Sequence, residues 1–164
     1  MKNGAPLLFF GDTYRFPDIY HSIRFLAPDP QIVLEQDGEI VMLTNSLEQG
    51  RARKQSRATK IENIDDYGAR ELNATMSPIT DATATLIERF LVAHDARRIT
   101  VPQSFPIALA DRLRARGIDV AVVEGLEQRR RAKRADEITA LEATQRATEE
   151  AISSRSRSRW RRSA

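Results

Sequence analysis

Two histidines, His21 and His94, are the first residues in this 164-residue chain from which a metal or proton-transfer site could be built. A structural or catalytic zinc needs at least three donors at short spacing, and neither histidine falls in an HExxH or related pattern. They belong to separate helical stretches, so each reads as a structural or surface histidine. Asp65 and Asp66 could serve as paired carboxylates for general acid–base work. They stand beside Tyr67 and Gly68 at the end of an alternating stretch, where a turn is the simpler reading. None of the seven glycines has the GxGxxG or GxxxxGK spacing that cradles a phosphate, and no serine sits in GxSxG. With zero cysteines the chain has no disulfide, no thiolate metal ligand and no cysteine nucleophile, which fits a reducing compartment. On these residues alone the catalytic, cofactor-binding and metal-ligating sets are all empty.

The elements that would position any site belong to an ordinary domain. A hydrophobic fraction of 41% and a charged fraction of 30% are those of a globular chain. No segment approaches the roughly 20 apolar residues that span a bilayer, and the start lacks the apolar run and cleavage site of a secretory signal, so the cytoplasm is the expected compartment. The pI of 9.6 suggests nucleic acid until the charge is located. Residues 153–164 hold five arginines and no acid, which leaves 26 − 5 = 21 basic against 23 acidic groups in residues 1–152, a net of −2. The remaining basic cluster, Arg129, Arg130, Arg131, Lys133 and Arg134, is surrounded by Glu124, Glu127, Asp136 and Glu137 and reads as a solvated connector.

The apolar run Leu7, Leu8, Phe9, Phe10, stopped by Gly11 and Asp12, predicts a buried strand. Pro17 opens a short helix carrying Ile19, Tyr20 and Ile23, with Pro28 and Pro30 ending it. Residues 31–35 and 39–44 flank Asp37–Gly38 as a hairpin. Asn45, Ser46, Leu47 and Glu48 resemble a capping box that launches a polar helix to about Ser56. An alternating strand follows over residues 59–64. Ser77 and Pro78 predict a helix start, with Pro78 at its first turn, and the apolar spacing then runs to His94. Beyond it come a strand at residues 98–101, a helix opened by Ser104, Phe105 and Pro106 and closed by Gly117, and a strand at residues 118–123. This alternation predicts an α/β fold, a mixed sheet of about five to six strands flanked by helices. A last helix, residues 135–152, carries a thin stripe of Ile138, Leu141, Ala147 and Ile152.

Several local strings, in this order, resemble the N-terminal domain of the creatinase, prolidase and aminopeptidase P family, the non-catalytic part of the pita-bread metallopeptidases. They are Leu7 to Phe10, Asp18–Ile19–Tyr20 leading to Arg24–Phe25–Leu26–Ala27–Pro28–Asp29–Pro30, the hairpin, and Ser46–Leu47–Glu48–Gln49–Gly50–Arg51–Ala52–Arg53. In the second half, residues 98–101, Ser104–Phe105–Pro106 and the exit Arg131–Ala132–Lys133–Arg134–Ala135–Asp136–Glu137–Ile138 are similar too. FLAPDP followed by SLEQGRAR looks most like the bacterial aminopeptidase P-like branch. The resemblance covers roughly residues 5–152. It implies a ribonuclease H-like creatinase-type domain over residues 1–130, a linker helix over 131–152, and a basic tail over 153–164 that reads as disordered.

In that family the linker helix leads to a catalytic domain that binds two divalent metal ions (Mn, Co or Zn) and hydrolyses peptide bonds before proline. None of its ligands maps onto this chain, so the resemblance implies a non-catalytic accessory domain, with a homo-oligomer or a catalytic metallopeptidase domain as partner and no membrane. Arg24 and Phe25 become candidates for the rim of a partner's active site. By residue type alone, Phe25 reads as core and Arg24 as a solvated charge. The resemblance leaves Xaa-Pro peptide, dipeptide and creatine-like chemistries open for the parent. The tail's abrupt change of composition reads as a truncated or frameshifted end. The alternative is a free-standing interaction module whose Arg/Ser tail, with Trp160, binds nucleic acid or acidic partners.

Overall fold

The Asp37–Gly38 dipeptide sets the first piece of the architecture. Both residues take positive φ, 51° and 87°, the conformation a two-residue hairpin turn requires. The turn locks strand β2 (Gln31–Gln36) against β3 (Glu39–Thr44), with Gln36 opposite Glu39 and Ile32 opposite Leu43. The computed structural model describes residues 4–75 and 78–160, with 155–160 described by backbone alone. The expected cap Ser77 lies outside the described residues.

Strand β1 (Leu7–Gly11) pairs antiparallel with β2 and parallel with β5 (Arg98–Pro102), which pairs in turn with β6 (Asp119–Val123). On the other flank β4 (Lys60–Asn63) runs parallel to β3. The result is one six-stranded mixed sheet in the order β4-β3-β2-β1-β5-β6, with β2 alone reversed. This is the α/β class the sequence predicts.

Alternate residues feed two cores, because successive side chains on a strand point to opposite faces. Leu8, Leu34, Val41 and Leu43 pack on one face with Ile87, Phe90 and Leu91 of α4 (Ile79–Ala93) and Leu109 and Leu113 of α5 (Ile107–Ala115). Leu7, Phe9, Val33 and Met42 pack on the other with Ile19 and Ile23 of α1 (Pro17–Ile23) and Ala52 of α2 (Ser46–Gln55). A sheet covered on both sides explains why β1 to β3 read as near-continuous apolar runs. No helix among the described residues is long and apolar enough to cross a membrane.

Four local details differ from the sequence expectation. Helix α1 is stopped by Arg24 in the left-handed conformation (φ 48°), well before Pro28. Pro78 is the cap of α4 rather than a member of its first turn. A helix α3 (Ala69–Thr75) follows a 3-10 turn at Ile64–Tyr67; only Ala69 and Leu72 of it are buried, too few for a readable stripe. After the short α6 (Leu126–Arg129), the last helix α7 runs Ala135–Trp160, past the expected stop at Ile152 into the stretch that reads as tail. Arginine is a good helix former, no glycine or proline interrupts residues 153–160, and cations suit a helix C-terminus. The chain divides into two compact units, Met1–Leu126 and Glu127–Ala164.

The turn from β1 into α1 is the tightest joint in the first unit. Gly11 has φ +150°, and a Cβ placed there would lie 2.5 Å from Cδ2 of the Phe16 ring. Asp12 then folds the chain over itself. Its Oδ1 accepts from the amides of Tyr14 (3.1 Å) and Arg15 (2.9 Å), and its Oδ2 accepts from Arg15 Nε at 2.7 Å. The Arg15 amide, foremost, with the Arg15 guanidinium and the Tyr14 amide, holds the Asp12 carboxyl below its ordinary range, against the opposing pull of burial.

Two outcomes follow. Gly11→Ala is expected to cost about 1–3 kcal/mol in a denaturant titration, since it adds both backbone strain and a clash with Phe16. Asp12 has a depressed folded pKa, so its contribution is present above the unfolded carboxylate value near ~3.9 and is lost as pH falls through the folded value. Melting curves of wild type and Asp12→Ala should therefore be well separated at neutral pH and converge below about pH 4. Parallel curves at every pH would remove the carboxylate from the account.

Candidate functional site

Five strands, β1, β3, β4, β5 and β6, end at the same edge of the sheet. From β1 the chain turns to α1 on one face, whereas it reaches β5 from α4 on the other. The loops after the two strands part, and that divergence at the carboxyl edge is where α/β folds place their sites.

The rim of this edge is built by the joint around Asp12. Thr13 is buried, and it ties the β1–α1 turn to the segment before β2. Its Oγ1 accepts from the Ala27 amide at 2.8 Å and donates to the Ala27 carbonyl at 3.3 Å, and its own amide donates to the same carbonyl at 3.2 Å. The left-handed Arg24 turns the chain out of α1, with its amide on Tyr20 O at 2.7 Å. Phe25 then drops into the core at 1% exposure. Arg51 of α2 lies over its ring, the guanidinium carbon 4.1 Å from the centroid. The same guanidinium donates to Leu26 O at 2.8 Å and, through Nε, to Glu48 Oε2 at 2.9 Å. Glu48 is held by the N-cap of α2, where Asn45 Oδ1 accepts from the Glu48 amide at 3.0 Å. Of the predicted capping box the Asn45 half forms, while the Glu48 carboxylate turns to Arg51, an arginine the sequence did not single out.

The outcome is a braced platform with apolar side chains on top. Tyr14 and Leu26, each next to a member of the Thr13–Ala27 pair, are exposed, and Leu47, one helical turn before Arg51, is 92% exposed. Of the two rim candidates, Arg24 shapes the turn through its backbone. Phe25 faces the core, and its stacking partner Arg51 occupies the rim.

A second polar cluster lies on the opposite face. Glu62 on β4 accepts from Tyr67 Oη, meets His94 Nε2 at 3.1 Å and pairs with Lys60 Nζ at 2.5 Å. The Glu62 and His94 side chains are only 11% and 16% exposed. Phe90 braces both rings edge-on, its centroid 5.4 Å from that of Tyr67 and 4.8 Å from that of His94. Burial pushes the Glu62 carboxyl up, but the bonds from Lys60, Tyr67 and His94 outweigh it and leave it below the ordinary range. Burial foremost, then the bond to Glu62, raises the Tyr67 phenol. The bond to Glu62 also raises Lys60. With its carboxylate accepting three donors, this cluster clamps the edge strand to α4. An open depression of about 330 Å³ beside it is lined by Gln36, Asp37, Glu39, Val41 and His94.

His21 and His94 stay on opposite faces of the sheet. Asp65 and Asp66 form the 3-10 turn, Asp65 pairing with Arg70 at 3.0 Å. Among the described residues, no three His, Cys, Asp or Glu side chains converge to hold a metal. Sequence reasoning missed Glu62. It stands at the polar phase of the alternating KIEN strand, so nothing in the sequence marks it.

No protein-family model and no curated protein sequence matches the chain. Solved structures do match it. The X-Pro aminopeptidase from Thermotoga maritima MSB8 superposes with a TM-score of 0.64 at 14% identity, over 92% of this chain and 41% of that one. The prolidase from Pyrococcus horikoshii OT3 gives 0.59 at 14% identity, over 90% and 37%. The aminopeptidase P from Streptococcus thermophilus, a solved chain of similar extent, gives 0.52 at 17%, over 77% and 84%. The chain spans about two fifths of the length of the first two. At these identities the likeness is one of fold: the protein has the creatinase-type N-terminal fold that forms part of Xaa-Pro peptidase chains.

Proposed function

We propose that this chain is a non-catalytic N-terminal domain of an Xaa-Pro aminopeptidase-like metallopeptidase, serving assembly and access to the active site. The observation that carries the reading is the extent of the fold match, which takes in nearly all of this chain and well under half of the peptidases it resembles. The two divalent metals and the hydrolytic step then belong to a segment outside this chain. No group of described side chains here fits such ions.

The braced carboxyl edge supplies the means. Tyr14, Leu26 and Leu47 offer apolar area, and the Thr13–Ala27 and Arg51–Phe25 contacts hold it rigid, so docking costs little ordering entropy. The partner in this reading is the catalytic metallopeptidase domain, in the same assembly or in a second subunit.

Two measurements test this. Incubated with an Xaa-Pro peptide and Mn(II), Co(II) or Zn(II), the purified chain should release no N-terminal residue above a buffer control. Chelator-sensitive turnover would overturn the non-catalytic assignment. Affinity-tagged chain expressed in its source cells should co-purify an Xaa-Pro peptidase polypeptide identified by mass spectrometry, and Leu47→Asp should reduce the yield by about tenfold without changing Tm, since Leu47 is solvent-exposed. Absence of the peptidase, or equal recovery with Leu47→Asp, would count against docking through this edge.

A further inference from the structure

Strand β6 ends one side of the sheet, and among the described residues no further strand pairs with its outer edge. The Asp119 amide donates to Arg97 O at 2.8 Å, which fixes the phase of the strand. Asp119, Ala121 and Val123 therefore turn their backbone groups toward β5, whereas Val120 and Val122 turn theirs outward. Outward amides and carbonyls on an edge strand are a template for another strand. The side chains of this edge do little to discourage one. Ala121 and Val122 are exposed, Val122 at 54%, and no charge or proline lies between Asp119 and Glu124.

A neighbouring arginine stands in the way instead. Arg114, in the last turn of α5, reaches across to the edge, and its Nη2 donates to Val120 O at 3.0 Å. Its Nη1 donates to Asp111 Oδ1, also at 3.0 Å, one turn earlier in the same helix. A guanidinium bonded to an outward carbonyl lies inside the lane of an added strand, whose axis would run about 4.8 Å from β6.

We propose that the β6 edge is a pairing surface for β6 of a second copy of this chain, and that Arg114 holds it shut. The strand DVAVV is self-complementary about Ala121. In an antiparallel pair centred there, Val120 of each copy stands opposite Val122 of the other and exchanges both backbone bonds with it. The two alanines, small enough to meet, face each other on the two-fold axis. Val120 O is an acceptor in each of the two exchanges, and Arg114 occupies it in both copies. Removing the guanidinium frees the acceptor and the lane together. The proposal stands on the first unit of the chain and does not require the peptidase reading above.

The absence of cysteine makes the test direct. In this register Ala121→Cys sets two thiols opposite each other, whereas Asp119→Cys leaves them about 13 Å apart, four residues along the strand. Oxidised, Arg114→Ala with Ala121→Cys should give a disulfide-linked dimer, while Ala121→Cys alone, and Arg114→Ala with Asp119→Cys, should remain largely unlinked. The Arg114 side chain is 46% exposed and alanine is a good helix former, so the substituted chain should fold as the wild type does. Without any cysteine, Arg114→Ala should sediment further toward dimer than the wild-type chain at equal concentration, with slower amide exchange at Val122. Equal linking with and without Arg114, linking through Asp119→Cys as strong as through Ala121→Cys, or an Arg114→Ala chain that matches wild type in sedimentation and exchange would each overturn the proposal.

Discussion

Strand β1 is the constraint on which the structure turns. It has a strand on each side, one antiparallel and one parallel, and a helical layer on each face, so Leu7 and Phe9 are drawn into one core and Leu8 into the other. A strand buried on both faces must end abruptly when it leaves the sheet, because its backbone polar groups need partners at once. Gly11, Asp12 and Thr13 meet that need. The glycine admits the bend, the aspartate gathers the amides of the turn, and the threonine ties it to Ala27. The exposed platform of Tyr14 and Leu26 is a by-product of that termination.

The two faces differ in how they are fastened at the β4 edge. Edge strands are the weak point of any open sheet, since their outer backbone groups invite fraying or mispairing. Here β4 is short, and Glu62 fastens it from within through Tyr67 and His94, with Lys60 of the same strand also on its carboxylate. A carboxylate with three donors in a poorly hydrated setting holds more firmly than a surface pair, because the alternative is an unpaired buried charge. Of the residues the sequence offers for proton transfer, His94 is thus engaged in holding the fold.

The features set by local chemistry were legible in the sequence. The Asp37–Gly38 hairpin, the Asn45 cap, the apolar strands and the alternation that defines the class all depend on residues near one another in the chain. The rest was not, because it depends on distant partners. Nothing near Arg51 announces that it will cover Phe25, and Glu62 looks like any acid in an alternating strand until α4 brings His94 to it. Helix α3 escaped because two buried residues make no periodic stripe. The end of α7 was not legible because the composition changes at Ser153 while the structure does not, arginine being a good helix former.

The central claim is that the braced carboxyl edge is the docking surface of a non-catalytic domain. Amide hydrogen exchange of the chain, alone and mixed with an Xaa-Pro peptidase polypeptide recovered in the affinity experiment, tests this most directly. The account predicts slowed exchange in complex at residues 12–15, 24–27 and 46–51, with β4 and the Glu62 cluster unchanged. Protection confined to the β4 face, with the carboxyl-edge loops exchanging as they do in the free chain, would contradict it.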